Sequence, residues 1–181
     1  MKDNVFSTGR NSHQCAALLI DMQPCIYEFF PSSLYRPLIA AQCETLQIFR
    51  HYDVPVVQIE MIGEGKTIPP LEQMLGKMRH IERVEKSHYS AFSNSSLQDI
   101  LTHWDARNLI IMGIYASCCV LETAYDASKL NYSGITAENL IGDNFPFYFQ
   151  KSEDEFRRIG QYFPSHIEMC SALFCTAKKN T

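Results

Sequence analysis

A chain of 181 residues with 46% apolar residues is long enough to bury one hydrophobic core, and we expect a single domain over residues 1–181. The formal net charge is -4 and the 16 lysines and arginines are scattered, so nucleic-acid binding is not expected. No apolar run approaches the roughly 18 residues of a membrane-spanning helix. The start of the chain has no apolar signal region, so we expect a cytoplasmic protein that does not bind membranes.

Apolar runs alternate with helical patterns along the chain. Predicted strands cover residues 15–20, 54–59, 81–85, 109–112, 134–137 and 166–169, and predicted helices cover residues 34–52, 71–78, 96–104, 119–130 and 152–162. Residues 63–70 form the only clear loop by composition. This alternation predicts an α/β protein, a three-layer α/β/α Rossmann-like fold with a mainly parallel six-stranded sheet. In such sheets the chemistry lies beyond the carboxyl ends of the strands.

Two charged residues stand at such strand ends. Asp21 directly follows the first strand, where a partly buried carboxylate can accept a proton or pair with a cation. Lys86 follows the third strand, and its ammonium could pair with Asp21 and act on a nearby thiol. Each residue also has a plainer interpretation, since Asp21 could cap a turn and Lys86 could be a solvated lysine in a charged stretch.

The fourth strand runs into a cysteine pair, in the stretch Gly113-Ile-Tyr-Ala-Ser-Cys118-Cys119-Val120. The pair opens a predicted helix, and unpaired N–H groups and the dipole at a helix N-terminus lower the pKa of a thiol. We therefore expect a nucleophile at Cys118 or Cys119. The alternative is that both are small buried hydrophobic residues, as most free cysteines are.

Other candidate sites are weaker. The segment Gly63-x-Gly65-Lys66-Thr67 lacks the glycine spacing of a phosphate-binding P-loop. His88 lies two residues beyond Lys86 and could activate a thiol, although a surface or supporting role is the plainer interpretation. The histidines form no metal-ligand spacing and the seven cysteines no C-x-x-C pair, so we expect no metal, no cofactor and mostly reduced thiols.

Three sequence blocks stand out together: Leu18-Leu-Ile-Asp21-Met-Gln23, Glu85-Lys86-Ser-His-Tyr-Ser-Ala-Phe92, and Gly113 to Val120 followed by Thr123-Ala124. They resemble the isochorismatase-like cysteine hydrolases, a superfamily that includes nicotinamidases, N-carbamoyl amidohydrolases and isochorismatases. The resemblance implies a catalytic triad of Asp21, Lys86 and Cys119. It also makes Cys118 a neighbour of the nucleophile.

The resemblance carries further expectations about geometry and assembly. It implies a non-proline cis peptide bond between Ile114 and Tyr115, and an oxyanion hole made by the N–H groups of Tyr115 and Cys119. It also implies a homodimer or a higher homo-oligomer acting on a small-molecule substrate. Aromatic side chains near the expected site could line its pocket, although such residues more often serve the core; they are Tyr27, Phe29, Tyr89, Phe92 and Tyr115.

The sequence also departs from two branches of this superfamily. Gln58-Ile-Glu60 stands where nicotinamidases carry an Asp-x-His metal motif, so a metal-dependent nicotinamidase is not expected. The isochorismatase branch usually lacks a cysteine at position 119, so retention of Cys119 favours hydrolysis of a small amide or ureido bond. Two alternatives stay open: a vinyl ether hydrolase in which Asp21 protonates the substrate, and a non-catalytic, redox-responsive oligomer in which Cys118 and Cys119 sense oxidants.

Overall fold

A computed structural model describes residues 14–175, and this part of the chain forms a single seven-stranded sheet. The strands are β1 (Cys15–Ile20), β2 (Val56–Met61), β3 (Ile81–Lys86), β4 (Asn108–Ile114), β5 (Ser133–Ala137), β6 (Ile141–Gly142) and β7 (Gln161–Phe163). Their order is β3-β2-β1-β4-β5-β7, with β6 paired to the end of β4. Every pairing between these strands is parallel, as the sequence predicts.

Helices cover both faces of this sheet. They are α1 (Cys25–Phe29), α2 (Ser32–Tyr52), α3 (Pro69–Leu75), α4 (Ser96–His103), α5 (Leu121–Lys129), α6 (Pro146–Ile159) and α7 (His166–Phe174). The buried apolar residues of α2, α3 and α7 join one apolar cluster, and those of α4, α5 and α6 join the other. The predicted three-layer α/β/α fold is therefore confirmed.

Strand β1 forms the centre of both cores because all six of its residues are apolar and buried. Successive side chains of a strand point to opposite faces. Accordingly Cys15, Ala17 and Leu19 join the first cluster, whereas Ala16, Leu18 and Ile20 join the second. A strand buried on both faces needs a continuous apolar run, and residues 15–20 supply one.

Two predicted elements are wrong within a parallel sheet that otherwise follows the prediction. Residues 166–169, predicted as a strand, begin helix α7, and the short strands β6 and β7 bring the sheet to seven strands. Ser165 caps this helix by accepting a hydrogen bond from the Glu168 N–H at 3.2 Å. A serine followed three residues later by a glutamate is the signature of a capping box, so the sequence did carry this signal. Helix α6 also begins at Pro146, six residues before its predicted start, with the proline in its first turn.

No helix within residues 14–175 combines the length and apolar character required to cross a membrane.

Gly113 allows β1 and β4 to approach closely at their carboxyl ends. It pairs with Ile20, the residue before Asp21, and lies five residues before Cys118. Its φ is 153°, and a Cβ at this position would lie 2.2 Å from the Ile20 carbonyl oxygen. The glycine therefore sets the separation between the two strand ends that carry Asp21 and the cysteine turn.

We expect Gly113→Ala to lower the free energy of unfolding by about 3 kcal/mol or more, because overpacking and backbone strain add at this position. At about 2–4 °C per kcal/mol the melting temperature should fall by roughly 6 °C or more in thermal unfolding followed by circular dichroism. Gly134→Ala is the matched control, since its added Cβ would have ordinary contact, 3.7 Å, with Ile111. Equal melting temperatures for the two variants would contradict the role assigned to Gly113.

Candidate active site

Asp21 and Lys86 form a buried ion pair at the carboxyl edge of the sheet. Lys86 Nζ lies 2.8 Å from Asp21 Oδ2, and the two side chains are 0% and 4% exposed. The ammonium also donates to the carbonyl oxygens of His88 at 3.1 Å and Tyr89 at 3.0 Å. A lysine ammonium has three donors, so these three acceptors satisfy it fully. The interpretation of Lys86 as a solvated lysine is therefore wrong.

A tight turn after β1 directs the Asp21 carboxyl toward the Lys86 ammonium. Asp21 adopts a left-handed backbone conformation with φ 55°, which aspartate tolerates better than most residues. Its N–H donates to Ile59 O at 3.0 Å, and its carbonyl accepts from the Gln23 N–H at 2.8 Å. The residue thus ends the ladder with β2 and begins the following turn at once.

Cys119 lies in a π-helical turn, Ala116–Val120, that precedes α5. The Cys119 thiol interacts with the Asp21 carboxyl. Asp21 Oδ1 accepts no conventional hydrogen bond from residues 14–175, which leaves this oxygen for the thiol proton. The structure thus brings Asp21, Lys86 and Cys119 together, and it places Cys119 rather than Cys118 against Asp21.

Two hydrogen-bonded braces hold the cysteine turn. Thr123 Oγ1 donates to Cys119 O at 2.7 Å and accepts from the Ala91 N–H at 3.0 Å, which connects the turn to the segment after Lys86. The buried carboxylate of Asp143 accepts from the Ser117 N–H at 2.9 Å and from the Ser117 hydroxyl at 2.6 Å. Asp143 has no assigned role in the sequence analysis, because a contact between residues 26 apart leaves no local pattern.

The predicted cis peptide bond between Ile114 and Tyr115 is wrong. The structure contains no cis peptide bond within residues 14–175. The chain instead changes direction through Tyr115, whose φ of 59° lies in the left-handed region. Tyr115, whose N–H is expected to donate to an oxyanion, therefore lies at the start of the cysteine turn, and the peptide bond before it is trans.

Burial controls the protonation of this site. It raises the pKa of the Cys119 thiol, and the Asp21 carboxylate raises that pKa further, while Lys86 offsets only part of the effect. The expectation of a thiol pKa lowered by a helix N-terminus is therefore wrong. Burial also raises the pKa of Asp21 against the opposing influence of Lys86. The resting pair is accordingly a neutral thiol next to a carboxylate that is more basic than an ordinary aspartate.

An open cleft of about 330 Å³ leads to these groups. Its lining residues come from the end of β2, from helix α1 and from the segments that follow β1, β2, β3 and β4; they are Asp21, Gln23, Cys25, Phe29, Met61, Glu64, Tyr89, Tyr115, Cys118 and Cys119. Of the five aromatic candidates, Phe29, Tyr89 and Tyr115 line the cleft. The other two aromatic candidates do not line it, because Tyr27 packs edge-on against Tyr35 and Phe92 stacks on Tyr132.

Glu60, in the segment that corresponds to the metal motif of nicotinamidases, forms hydrogen bonds within the protein. Within residues 14–175 no cluster of three or more His, Cys, Asp or Glu side chains is suited to hold a metal ion. Glu60 instead accepts hydrogen bonds from the Thr67 N–H at 2.7 Å and from the Gln58 amide at 2.9 Å. His88 contributes its carbonyl to Lys86 and its side chain is exposed.

Comparison with known proteins gives matches to both the sequence and the fold. The isochorismatase domain model matches residues 15–163. The ureidoacrylate amidohydrolase RutB of Azorhizobium caulinodans is 33% identical over 98 residues, which cover 54% of this chain and 43% of RutB. The chain therefore aligns with less than half the length of that curated relative.

Solved structures with the same fold are more distant in sequence. The MAR1 ribonuclease of Caenorhabditis elegans superposes with a TM-score of 0.78 at 20% identity, over 90% of this chain and 82% of MAR1. YcaC of Escherichia coli, described as an octameric hydrolase of unknown specificity, gives a TM-score of 0.77 at 14% identity, over 90% of this chain and 80% of YcaC.

These likenesses establish the fold, whereas the family model spans most of the chain, including Asp21, Lys86 and Cys119. The resemblance inferred from the three sequence blocks is thereby confirmed, and the chain belongs to the isochorismatase family.

Proposed function

We propose that this protein is a cysteine hydrolase that cleaves a small amide or ureido C–N bond through a thioester on Cys119. The observation that carries the proposal is the buried Asp21 carboxylate, which contacts both the Lys86 ammonium, at 2.8 Å, and the Cys119 thiol beside an open cleft. The similarity to RutB, a ureidoacrylate amidohydrolase, supports this class of bond.

In the first half of the reaction, Cys119 Sγ attacks the carbonyl carbon of the substrate while the thiol proton moves to Asp21. The tetrahedral intermediate then breaks its C–N bond, and Asp21 returns the proton to the departing nitrogen. The products of this half are ammonia or an amine and a thioester on Cys119. Because burial makes the Asp21 carboxylate more basic, it is better suited to accept a proton from a thiol whose own pKa is raised.

In the second half, water attacks the thioester with Asp21 again accepting a proton. As the C–S bond breaks, Asp21 returns the proton to Cys119 Sγ, which restores the thiol and releases a carboxylic acid, or a carbamic acid from a ureido substrate. We assign the oxyanion of both tetrahedral intermediates to the N–H groups of Tyr115 and Cys119. Lys86 keeps Asp21 ionised in the resting enzyme and steadies the charge that moves between carboxylate and thiol.

We further propose that the protein forms a homodimer or a higher homo-oligomer. YcaC, which shares the fold, is described as octameric. Exposed aromatic side chains at the start of α6, Phe145, Phe147 and Tyr148, are of the kind that subunit contacts bury.

A vinyl ether hydrolase remains the second candidate, and the raised pKa of Asp21 favours it specifically. A carboxyl group that holds its proton at higher pH could protonate a vinyl carbon without help from Cys119. The redox alternative gains less support, because burial also raises the pKa of Cys118 and oxidants react with the thiolate.

We expect Cys119→Ala to reduce hydrolysis of small amides and ureido compounds by at least about a thousandfold, because the variant cannot form the thioester. Ammonia release across a panel of such compounds measures the loss, and circular dichroism checks that the fold is kept. Cys43→Ala, a partly buried cysteine outside the cleft, is the matched control and should keep its activity.

Full activity in Cys119→Ala would exclude the thioester mechanism. Vinyl ether hydrolysis that survives both Cys119→Ala and alkylation of Cys119 would establish the second candidate instead. An unmodified protein that hydrolyses nothing in either panel would favour the redox-responsive alternative.

The pH dependence of kcat/KM should report the raised pKa of Asp21. The reaction needs an ionised carboxylate, so activity is lost as the pH falls through that pKa, which lies above the value of about 3.9 for an ordinary aspartate. No step should appear near pH 8.5, where an unperturbed thiol ionises, since the pKa of Cys119 is raised. An acidic limb near 3.9, or an increase centred near 8.5, would contradict this assignment; Cys43→Ala should give the same profile as the unmodified protein.

A further inference from the structure

Glu64 is a second carboxylate at the cleft, and the proposed reaction does not use it. It lies in the turn after β2 and lines the cleft together with Asp21 and Tyr115. Its charge acts on three groups around the cleft, Asp21, Cys25 and Tyr115. A substrate that approaches Cys119 through this cleft therefore passes close to the Glu64 carboxylate.

The turn that carries Glu64 is held in place on both sides. Gly63 and Gly65 adopt left-handed conformations, with φ of 89° and 87°, which glycine accepts without strain. The fully buried Gln23 amide donates to Met61 O at 3.0 Å and to Gly65 O at 2.7 Å, and its oxygen accepts from the Met61 N–H at 2.9 Å. Gln23 lies only two residues after Asp21, so the turn is fixed to the same segment as the proposed base.

Lys66, the lysine nearest to Glu64 in sequence, is paired with two other carboxylates. Lys66 Nζ forms ion pairs with Glu60 at 3.1 Å and with Glu85 at 3.5 Å. Glu60 in turn accepts from the Thr67 N–H, which holds the end of the turn. The cation two residues after Glu64 is therefore shared between two other carboxylates.

The cleft as a whole carries an excess negative charge. Its lining, within residues 14–175, contains two carboxylates and no lysine, arginine or histidine. Lys86 lies beneath the cleft and balances Asp21. With the Cys119 thiol neutral, Glu64 is left as one uncompensated negative charge at the approach to the nucleophile. Moving the thiol proton to Asp21 redistributes charge but leaves this sum unchanged.

We propose that Glu64 is a specificity-determining residue that makes the cleft select neutral or cationic small amides and reject carboxylate-bearing ones. The proposal rests on the function proposed above, since it names the substrate class of the same site. It sets this chain apart from RutB, because the ureidoacrylate in that protein's name carries a carboxylate. Like charges at a partly solvated site repel by amounts that correspond to about a three- to tenfold change in rate. Salt should weaken the effect, because Glu64 is exposed.

A first experiment measures charge selection without requiring hydrolysis. Iodoacetamide and iodoacetate alkylate a thiolate by the same displacement of iodide but differ in charge. The ratio of their rates at Cys119 is divided by the same ratio for N-acetylcysteine methyl ester, an uncharged thiol. A Cys118→Ala background leaves Cys119 as the only cysteine in the tryptic peptide of residues 108–129, where mass spectrometry quantifies the modification.

In this assay the protein that retains Glu64 should give a normalised ratio of the iodoacetamide rate to the iodoacetate rate that is above one. Glu64→Gln should lower the normalised ratio about three- to tenfold, and Glu64→Lys should lower it further. Addition of 1 M salt should move the ratio of the Glu64 protein toward that of Glu64→Gln. Glu82→Gln removes an exposed carboxylate of β3 that does not line the cleft, so it should leave the ratio unchanged. Equal ratios in all four proteins would overturn the proposal.

A second experiment applies the same test to turnover. β-Alaninamide, propionamide and succinamate present the same type of primary amide with a cationic, a neutral and an anionic end. Glu64→Gln and Glu64→Lys should raise kcat/KM for succinamate relative to β-alaninamide, with Glu82→Gln again as the control. Relative values that do not respond to Glu64 would overturn the proposal.

Failure of the two proposals can be told apart. Charge-selective alkylation of Cys119 that depends on Glu64, in a protein that hydrolyses no amide, would support the charge filter and count against the hydrolase. Amide hydrolysis that depends on Cys119 but does not respond to substitution of Glu64 would support the hydrolase and count against the charge filter.

Discussion

The buried ion pair between Lys86 and Asp21 constrains the rest of the site. Lys86 is the last residue of β3 and Asp21 follows β1, and these strands are not neighbours in the sheet, since β2 lies between them. Their strands are therefore separated by about 10 Å, and the long lysine side chain and the Asp21 carboxyl together bridge this distance. Removing two charges from water costs several kcal/mol for each ion, so the pair persists only with good geometry and full hydrogen bonding. The carbonyls of His88 and Tyr89 accept the two ammonium protons of Lys86 that Asp21 does not bind.

The same burial gives the site its chemical character. A buried carboxylate next to a lysine is subject to two opposing effects, because desolvation favours the protonated acid and the ammonium favours the carboxylate. In this protein desolvation is the larger effect on Asp21, and it also keeps the Cys119 thiol protonated. In the proposed mechanism, proton transfer from Cys119 to Asp21 is then an exchange between two groups whose pKa values are both raised. A helix dipole acting on an exposed thiol would give a different site, with a preformed thiolate.

Much of this arrangement could be predicted from the sequence because its determinants are local. The apolar run of β1 and the residues that end β1 and β3 placed Asp21 and Lys86 at one edge, and the sequence blocks selected Cys119 over Cys118. The features that were missed depend on distant contacts. Asp143 accepts hydrogen bonds from Ser117 across 26 residues, and Gln23 holds the turn of Glu64 through Gly65 across 42 residues. The wrong strand at residues 166–169 has a different origin: the capping signal at Ser165 is present in the sequence, but the alternation in His166-Ile-Glu-Met169 is equally typical of a strand.

Two solved proteins share this fold at 14–20% identity to this chain. One is named a ribonuclease and the other a hydrolase of unknown specificity, so the sheet by itself does not identify the substrate. In this chain the ion pair and the turn that carries Glu64 are attached to one short segment, Asp21 to Gln23. The neighbours of Glu64 are held through their backbone atoms, whereas its own side chain is exposed. The charge at the cleft can therefore change at position 64 while the turn keeps its path. Lys86 and Asp21 tolerate no such change, because loss of either partner leaves a buried charge unpaired.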